Sequence, residues 1–402
     1  MDQFASVSWK TRAGLGLLIL LLVGAAPWEQ PRVPAIAPIA GVGGLAAKDC
    51  GVCHQEIYQE WKASSHGWAW KDAQFQAELY KDPEVGWLCV NCHTPMQNQQ
   101  EMRVIEGGVT RNPHSTPNPD YDKELQQDGV GCLSCHWRPE GIAAPHEGVK
   151  APHPVVYAPE LQQIEACTSC HQAKARLEDA LVCHFNTGEE WAETGSGKTC
   201  QECHMQSVTR AHAAGAPVRK GRRHTWFGGG VPKGPISPEI QALWDEWEPG
   251  YSLDLNVPES SALGAQVSAS LTLSHARAGH MVPTGDPERH LMVYLEAIAD
   301  GEVIQTTEHR IGQSWEWSPV ARKIGDNRLK PGESREYTLD FSMPQSGVEV
   351  RARVVHVRLT QDNWSYHMKL FEADGEEALA DALRVLPKER ERARVSASVA
   401  LR

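Results

Sequence analysis

The chain has 402 residues, a formal net charge of -12, 41% hydrophobic residues, 11 cysteines, 18 histidines and 14 tryptophans. It is too long for one small domain and suggests two. Its acidity argues against a nucleic-acid partner and suits soluble or basic redox proteins.

Lys10 and Arg12 precede an apolar run from Ala13 to Ala26, which stops before Pro27. The run is short for a membrane span and matches the apolar core of a secretory signal, so the expectation for residues 1–26 is export to the periplasm or the cell exterior. Left uncleaved, the same segment would anchor the protein to the membrane. Residues 27–47 are rich in Pro, Gly and Ala and read as a linker with no stable fold.

Residues 48–250 carry Cys-x-x-Cys-His five times: Cys50, Cys53 and His54; Cys89, Cys92 and His93; Cys132, Cys135 and His136; Cys167, Cys170 and His171; Cys200, Cys203 and His204. This is the spacing of c-type haem attachment, with two thioethers from the cysteines and the histidine on iron. Paired cysteines also build zinc sites, and cysteines of exported chains also form disulfides. Neither explains a histidine after the second cysteine in all five copies. The expectation is five covalently bound haem c groups, and export agrees with it because such thiols are joined to haem outside the cytoplasm. Periodicity is broken into short helical pieces, such as Gln55 to Ser64, where Ile57 and Trp61 share a face. So few apolar side chains cannot form an ordinary core, so the haems must supply much of it and the apo chain is not expected to fold. The many tryptophans suit packing against porphyrin faces.

From residue 251 to 371 the pattern changes. Val267 to Leu273, Leu291 to Ile298, Glu302 to Thr307, Arg335 to Phe341 and Val350 to Thr360 show β-type alternation, and the segment holds no cysteine. A β-sandwich is expected here. Residues 372–402 read as a short helix (Ala378, Leu379, Ala382, Leu383) and a solvated tail of mixed charge. The fold class is therefore α+β and multidomain: a mostly helical and irregular multihaem domain followed by a β-sandwich.

The sixth iron position decides the chemistry. A second histidine gives a saturated iron suited to electron transfer, and an open position admits small molecules. Outside the motifs, the histidines of the haem region are His66, His114, His146, His153, His184, His212 and His224.

The run Cys50-Gly-Val-Cys53-His54, then Trp61, Ser64-Ser65-His66, and later Gly129-Val130-Gly131-Cys132-Leu133-Ser134-Cys135-His136 resembles the cytochrome c-554 family over residues 48–153. Those tetrahaem proteins shuttle electrons from hydroxylamine oxidoreductase. The resemblance implies that His66 ligates the third haem and that His146, or else His153, ligates the first. It also implies that the haem of His93 lacks a distal protein ligand, unless His114 closes it. The chain departs from the family in its fifth motif, its β-rich extension and its later part. There, Arg223-His224-Thr225-Trp226-Phe227-Gly228-Gly229 resembles distal-ligand segments of other multihaem cytochromes, and His184 is a further candidate. Cys183-His184 reads as a buried free thiol beside a ligand, with a single-thioether sixth haem as the alternative. Ala278 to Arg289 resembles a segment of β-domains attached to multihaem cytochromes. It reads first as a turn fixed by Pro283 and Gly285, and alternatively as a way for His280 to reach back to a haem.

The favoured expectation is an electron carrier between unidentified redox partner proteins. The alternatives are an oxidoreductase acting on a small nitrogen or sulfur compound at one five-coordinate haem, and a subunit of a conducting filament.

Overall fold

The computed structural model describes residues 30–106, 110–177, 181–317 and 320–402. The expected export signal, residues 1–26, lies outside them. The chain is an α+β mixture with a large β-rich C-terminal part.

The motif region is assembled from short pieces. Helices Gly86–His93, Cys132–His136, Glu165–His171 and Cys200–His204 each end on a motif histidine. The first motif instead straddles two helices, Ala47–Gly51 and Gln55–Ala63, with His54 at the N-cap of the second. Small sheets connect them: Trp137–Arg138 with Gly141–Ala144 and Val155–Tyr157, Gln172–Arg176 with Leu181–Asn186, and Ser207–Ala211 with Val218–Arg222. As the composition predicts, the apolar clusters here are small. One is formed by Phe227, Ile240 and Trp244, where Ser237 caps helix Pro238–Glu246.

The expected linker requires correction. Residues 30–46 follow a fixed path along the motif region, because Val33, Ile36, Ile39 and Leu45 pack with Met96, Leu125 and Leu133. Backbone bonds fix the path: Val33 N donates to Pro95 O (3.0 Å) and Gln97 N to Val33 O (2.8 Å).

In the C-terminal part, two sheets enclose one apolar core. One has the order Tyr251–Asn256, Gln266–His275, Ser334–Ser342. The other has the order Ser260–Ser261, Glu389–Leu401, Val348–Val357, His290–Ala299, Glu302–Glu316, Arg322–Asp326. Alternation does what the pleat requires: Val267, Ala269, Leu271 and Leu273 point inward from one strand, and Val348, Val350, Ala352 and Val354 from another. Asp300 and Gly301, both at positive φ, make the tight hairpin between His290–Ala299 and Glu302–Glu316.

All five expected strands are present, and the sheets add others. The solvated tail is a second correction. Residues 389–401 form a strand hydrogen-bonded along Val348–Val357 from Val348↔Val399 to Val357↔Glu389. Its charges are used: Arg390 donates to Gly230 O (3.1 Å) and pairs with Asp245, and Arg392 donates to Trp247 O (3.1 Å). A helix, Gln361–Asp374, interrupts the β region. With helix Glu377–Arg384 it packs against helix Ala73–Lys81 of the motif region, through Phe371, Met368 and Leu383 on Ala73 and Ala77.

Candidate haem cavity

All five motifs open onto one cavity of about 2630 Å³, lined by all ten motif cysteines, by Cys183 and by the five motif histidines. A pocket for an ordinary small ligand spans roughly 300–1,000 Å³. Thiols from different motifs meet inside: Cys50 with Cys132, Cys92 with Cys170, and Cys167 with Cys200. Cys135 lies within electrostatic range of Cys170. Arg32, from the corrected linker, donates to Cys170 Sγ (3.6 Å) and to Ala166 O (3.4 Å). The fourth motif thus borders the second, third and fifth. Among the described residues, no group of three or more His, Cys, Asp or Glu side chains converges as a zinc site would require.

Four of the five motif histidines have one ring nitrogen occupied. His54 Nδ1 donates to His212 O (2.7 Å), His93 Nδ1 to Ala69 O (2.7 Å), His136 Nδ1 to Ala143 O (2.8 Å) and His204 Nδ1 to Phe227 O. A metal-bound histidine is oriented in this way, leaving Nε2 as the ligand. Burial lowers the pKa of His93 and His171 to about 4, and of His66 and His224 to about 3, keeping the neutral form that metal binding needs.

Two non-motif histidines face motif histidines across the cavity. The ring centroids of His66 and His171 are 6.2 Å apart, and those of His136 and His224 are 6.3 Å apart. Two imidazoles bound end-on to one metal, with bonds of about 2 Å and ring radii of ~1.2 Å, put their centres about 6.4 Å apart, close to both separations. His224 Nδ1 is buried with no hydrogen-bond partner. The residues fit haem. Trp226 stands edge-on between the two sites, 4.6 Å from His66 and 5.1 Å from His224.

The position of His66 follows from the segments quoted in the sequence. Trp61 Nε1 donates to Val130 O (2.8 Å), and Val130 N donates to His66 O (3.1 Å). Gly129 has φ +61°, and a Cβ there would lie 2.8 Å from His66 O. His224 is placed by a buried carboxylate: Glu60, 3% exposed, accepts from His224 N (2.9 Å), Arg210 (2.7 Å) and Arg223 (2.7 Å).

The ring opposite His66 belongs to the fourth motif and not the third, which is a correction to the implied pairing. The third motif faces His224. His114 is also corrected. Strand Ser115–Pro117 pairs with Met102–Val104 and carries His114 outside the cavity, where it meets Glu106 at 3.7 Å. His146 and His153 both line the cavity from the loop after Ala144. His153 donates through Nδ1 to Pro154 O (3.1 Å). His184 lines it too, half-buried, with Nε2 unpartnered and its ring 5.4 Å from Trp315. His93 is stacked on Phe75 with centroids 3.7 Å apart, and no second histidine ring faces it among the described residues. Glu60 and Arg32 escaped the sequence reading, since nothing in their local pattern separates them from ordinary surface or core residues; Trp226 lies in the segment quoted for His224, but its place between two sites leaves no mark there.

Residues 49–137 match the model of the family described as cytochrome c554 and c-prime. The match covers the first three motifs and supports a c-type cytochrome-like character for this part of the chain. No curated protein matches the chain. Among solved structures, the CARDB domain of a Pyrococcus furiosus protein is 11% identical, with 39% of this chain and 90% of that one covered and a TM-score of 0.21. Spo0M of Bacillus subtilis, a sporulation control protein, is 15% identical, with 27% and 43% covered and a TM-score of 0.13. Such scores carry no argument about fold or function.

Proposed function

We propose that the protein is an exported pentahaem c-type cytochrome that passes electrons between redox partner proteins. The observation that carries the reading is the pair of facing histidine couples, His66 with His171 and His136 with His224, inside one cavity that all five motifs share. The ten motif cysteines would hold five haems, with His54, His93, His136, His171 and His204 as proximal ligands. Bound there, haem supplies one-electron chemistry through its iron.

The chain's own residues do the rest. Carbonyls of His212, Ala69, Ala143 and Phe227 orient the proximal rings. His66 and His224 would hold the iron from the side facing His171 and His136, which would exclude exogenous ligands and favour electron transfer over small-molecule chemistry. For His54 the loop after Ala144 supplies the partner. His153 is preferred to His146 because its Nδ1 already donates to a carbonyl. Residues 1–26 act as the export signal that brings the thiols to the periplasm or cell exterior.

Intact mass of the exported protein tests the haem count. Five haem increments are expected, six would make Cys183 a further attachment point, and zinc or disulfides in their place would overturn the reading.

A second reading, a small-molecule oxidoreductase, is favoured by the surroundings of His93. The cavity wall near its motif carries Glu78, Asp286 and Glu288. Burial beside Asp286 and Glu78 raises Glu288 to about 7, where a carboxyl can donate or accept a proton at neutral pH. Carbon monoxide binding by the reduced protein separates the readings: one equivalent bound favours the enzyme, and none leaves the carrier.

A further inference from the structure

We propose that His280, from the β-rich part of the chain, is the second axial ligand of the metal held by His204, so that the fifth haem site is built from both parts of the molecule. The proposal rests on the haem reading above. The rings of His204 and His280 have centroids 6.2 Å apart and planes within 10° of each other. That separation lies within 0.1 Å of those of the two couples in the motif region, 6.2 and 6.3 Å. Both rings have their Nδ1 committed, His204 to Phe227 O and His280 to Met281 O (2.8 Å), which leaves the two Nε2 atoms for a metal. A histidine that only filled a turn would need neither the facing ring nor the cavity on which both residues open.

The loop that carries His280 is held from two sides. On the β side, His275 Nε2 donates to His280 O (2.8 Å), and Val282 exchanges backbone bonds with Leu329 (3.0 and 2.9 Å). On the other side stands helix Thr187–Thr194, between the fourth and fifth motifs. Thr194 Oγ1 donates to Gly279 O (3.1 Å), and Thr284 Oγ1 donates to Glu190 Oε2 (2.6 Å). Glu190 also takes Arg328 Nη1 at 2.6 Å, with both side chains almost fully buried. A turn at a domain edge requires only the first set of bonds. The second set fixes the loop relative to the motif region, as a ligand must be fixed.

The test uses the full exported protein. His280→Ala is expected to keep five haems by intact mass and to convert one of the five irons from low-spin to high-spin in the ferric electron paramagnetic resonance spectrum. Added imidazole should reverse the change. Combining it with Cys200→Ser and Cys203→Ser should remove both that haem and the high-spin signal. His280→Met retains bulk and is expected to raise the midpoint potential of one haem, as methionine–histidine ligation does. It serves where the alanine variant does not accumulate. Five haems with an unchanged low-spin spectrum in His280→Ala, or unchanged potentials in His280→Met, would overturn the assignment alone. Fewer than five haems in the unmodified protein would overturn the haem reading on which it rests.

Discussion

At the scale of single residues, the role of a histidine here is set by the ring it faces across the cavity. The motif histidines were legible from spacing, because a thioether pair and its iron ligand must lie on one helical turn. The distal ones were not, because ligation across a cavity leaves no local pattern. His66 shows the difference. Its importance could be read from the residues before it, but the motif it serves could not. His66→Ala should therefore open the iron attached through Cys167 and Cys170, leaving haem attachment intact. Adding Cys167→Ser and Cys170→Ser to that variant should abolish its high-spin signal, and adding Cys132→Ser and Cys135→Ser should not. His114, by contrast, had composition in its favour and geometry against it, and His114→Ala should leave every iron spectrum unchanged.

At the scale of elements, helix Gln55–Ala63 was expected for its apolar face, and its chemistry sits on the polar residue beside that face. Glu60 is nearly inaccessible and holds Arg210, Arg223 and the backbone of His224. Glu60→Ala leaves Arg210 only the exposed Glu56 (2.9 Å) as a partner and should destabilise the fold by about 3 kcal/mol, read from denaturant unfolding. Helix Ala73–Lys81 begins at Asp72, which binds Lys233 (2.9 Å) and Arg358, the latter just after strand Val348–Val357. Burial alone would raise the Asp72 pKa, but the two cations outweigh it and hold it at about 2, below the ordinary 3.8. A depressed carboxylate contributes stability that is complete above its unfolded pKa. The contribution, about 2 kcal/mol, is lost as pH falls from about 4 through about 2. Asp72→Asn should flatten this acid limb of the stability profile and lower the melting temperature at pH 7. The tail strand Glu389–Leu401 was misread because charge alternation looks alike on a solvated segment and on a strand whose polar face meets Asp245 and Gly230.

At the scale of the molecule, the motif region has, among the described residues, no apolar core to match that of the β-rich part, and the two are joined by buried ion pairs, by packed helices and, in our proposal, by a ligand. The fourth motif borders three others, so haems held as proposed would form a branched path. Cys167→Ser with Cys170→Ser should split a single kinetic phase of reduction into separate phases, measured by stopped-flow absorbance. The same change at Cys89 and Cys92 should leave one phase. Two parts and a change of pattern near residue 250 could be read from composition, whereas their mutual dependence could not. It lives in contacts such as Glu190 with Arg328, which are 138 residues apart in sequence.

The strand Glu389–Leu401 has a consequence for how the molecule matures. It pairs with Val348–Val357, which in turn pairs with His290–Ala299, the strand that follows the His280 loop. A chain emerging from its N-terminus presents all five Cys-x-x-Cys-His motifs long before that sheet can close. Thioether formation would then act on an open, unfolded substrate, and closing of the sheet would seal the fifth site afterwards. A chain halted before residue 389 should carry its full complement of haem and still expose one iron to solvent.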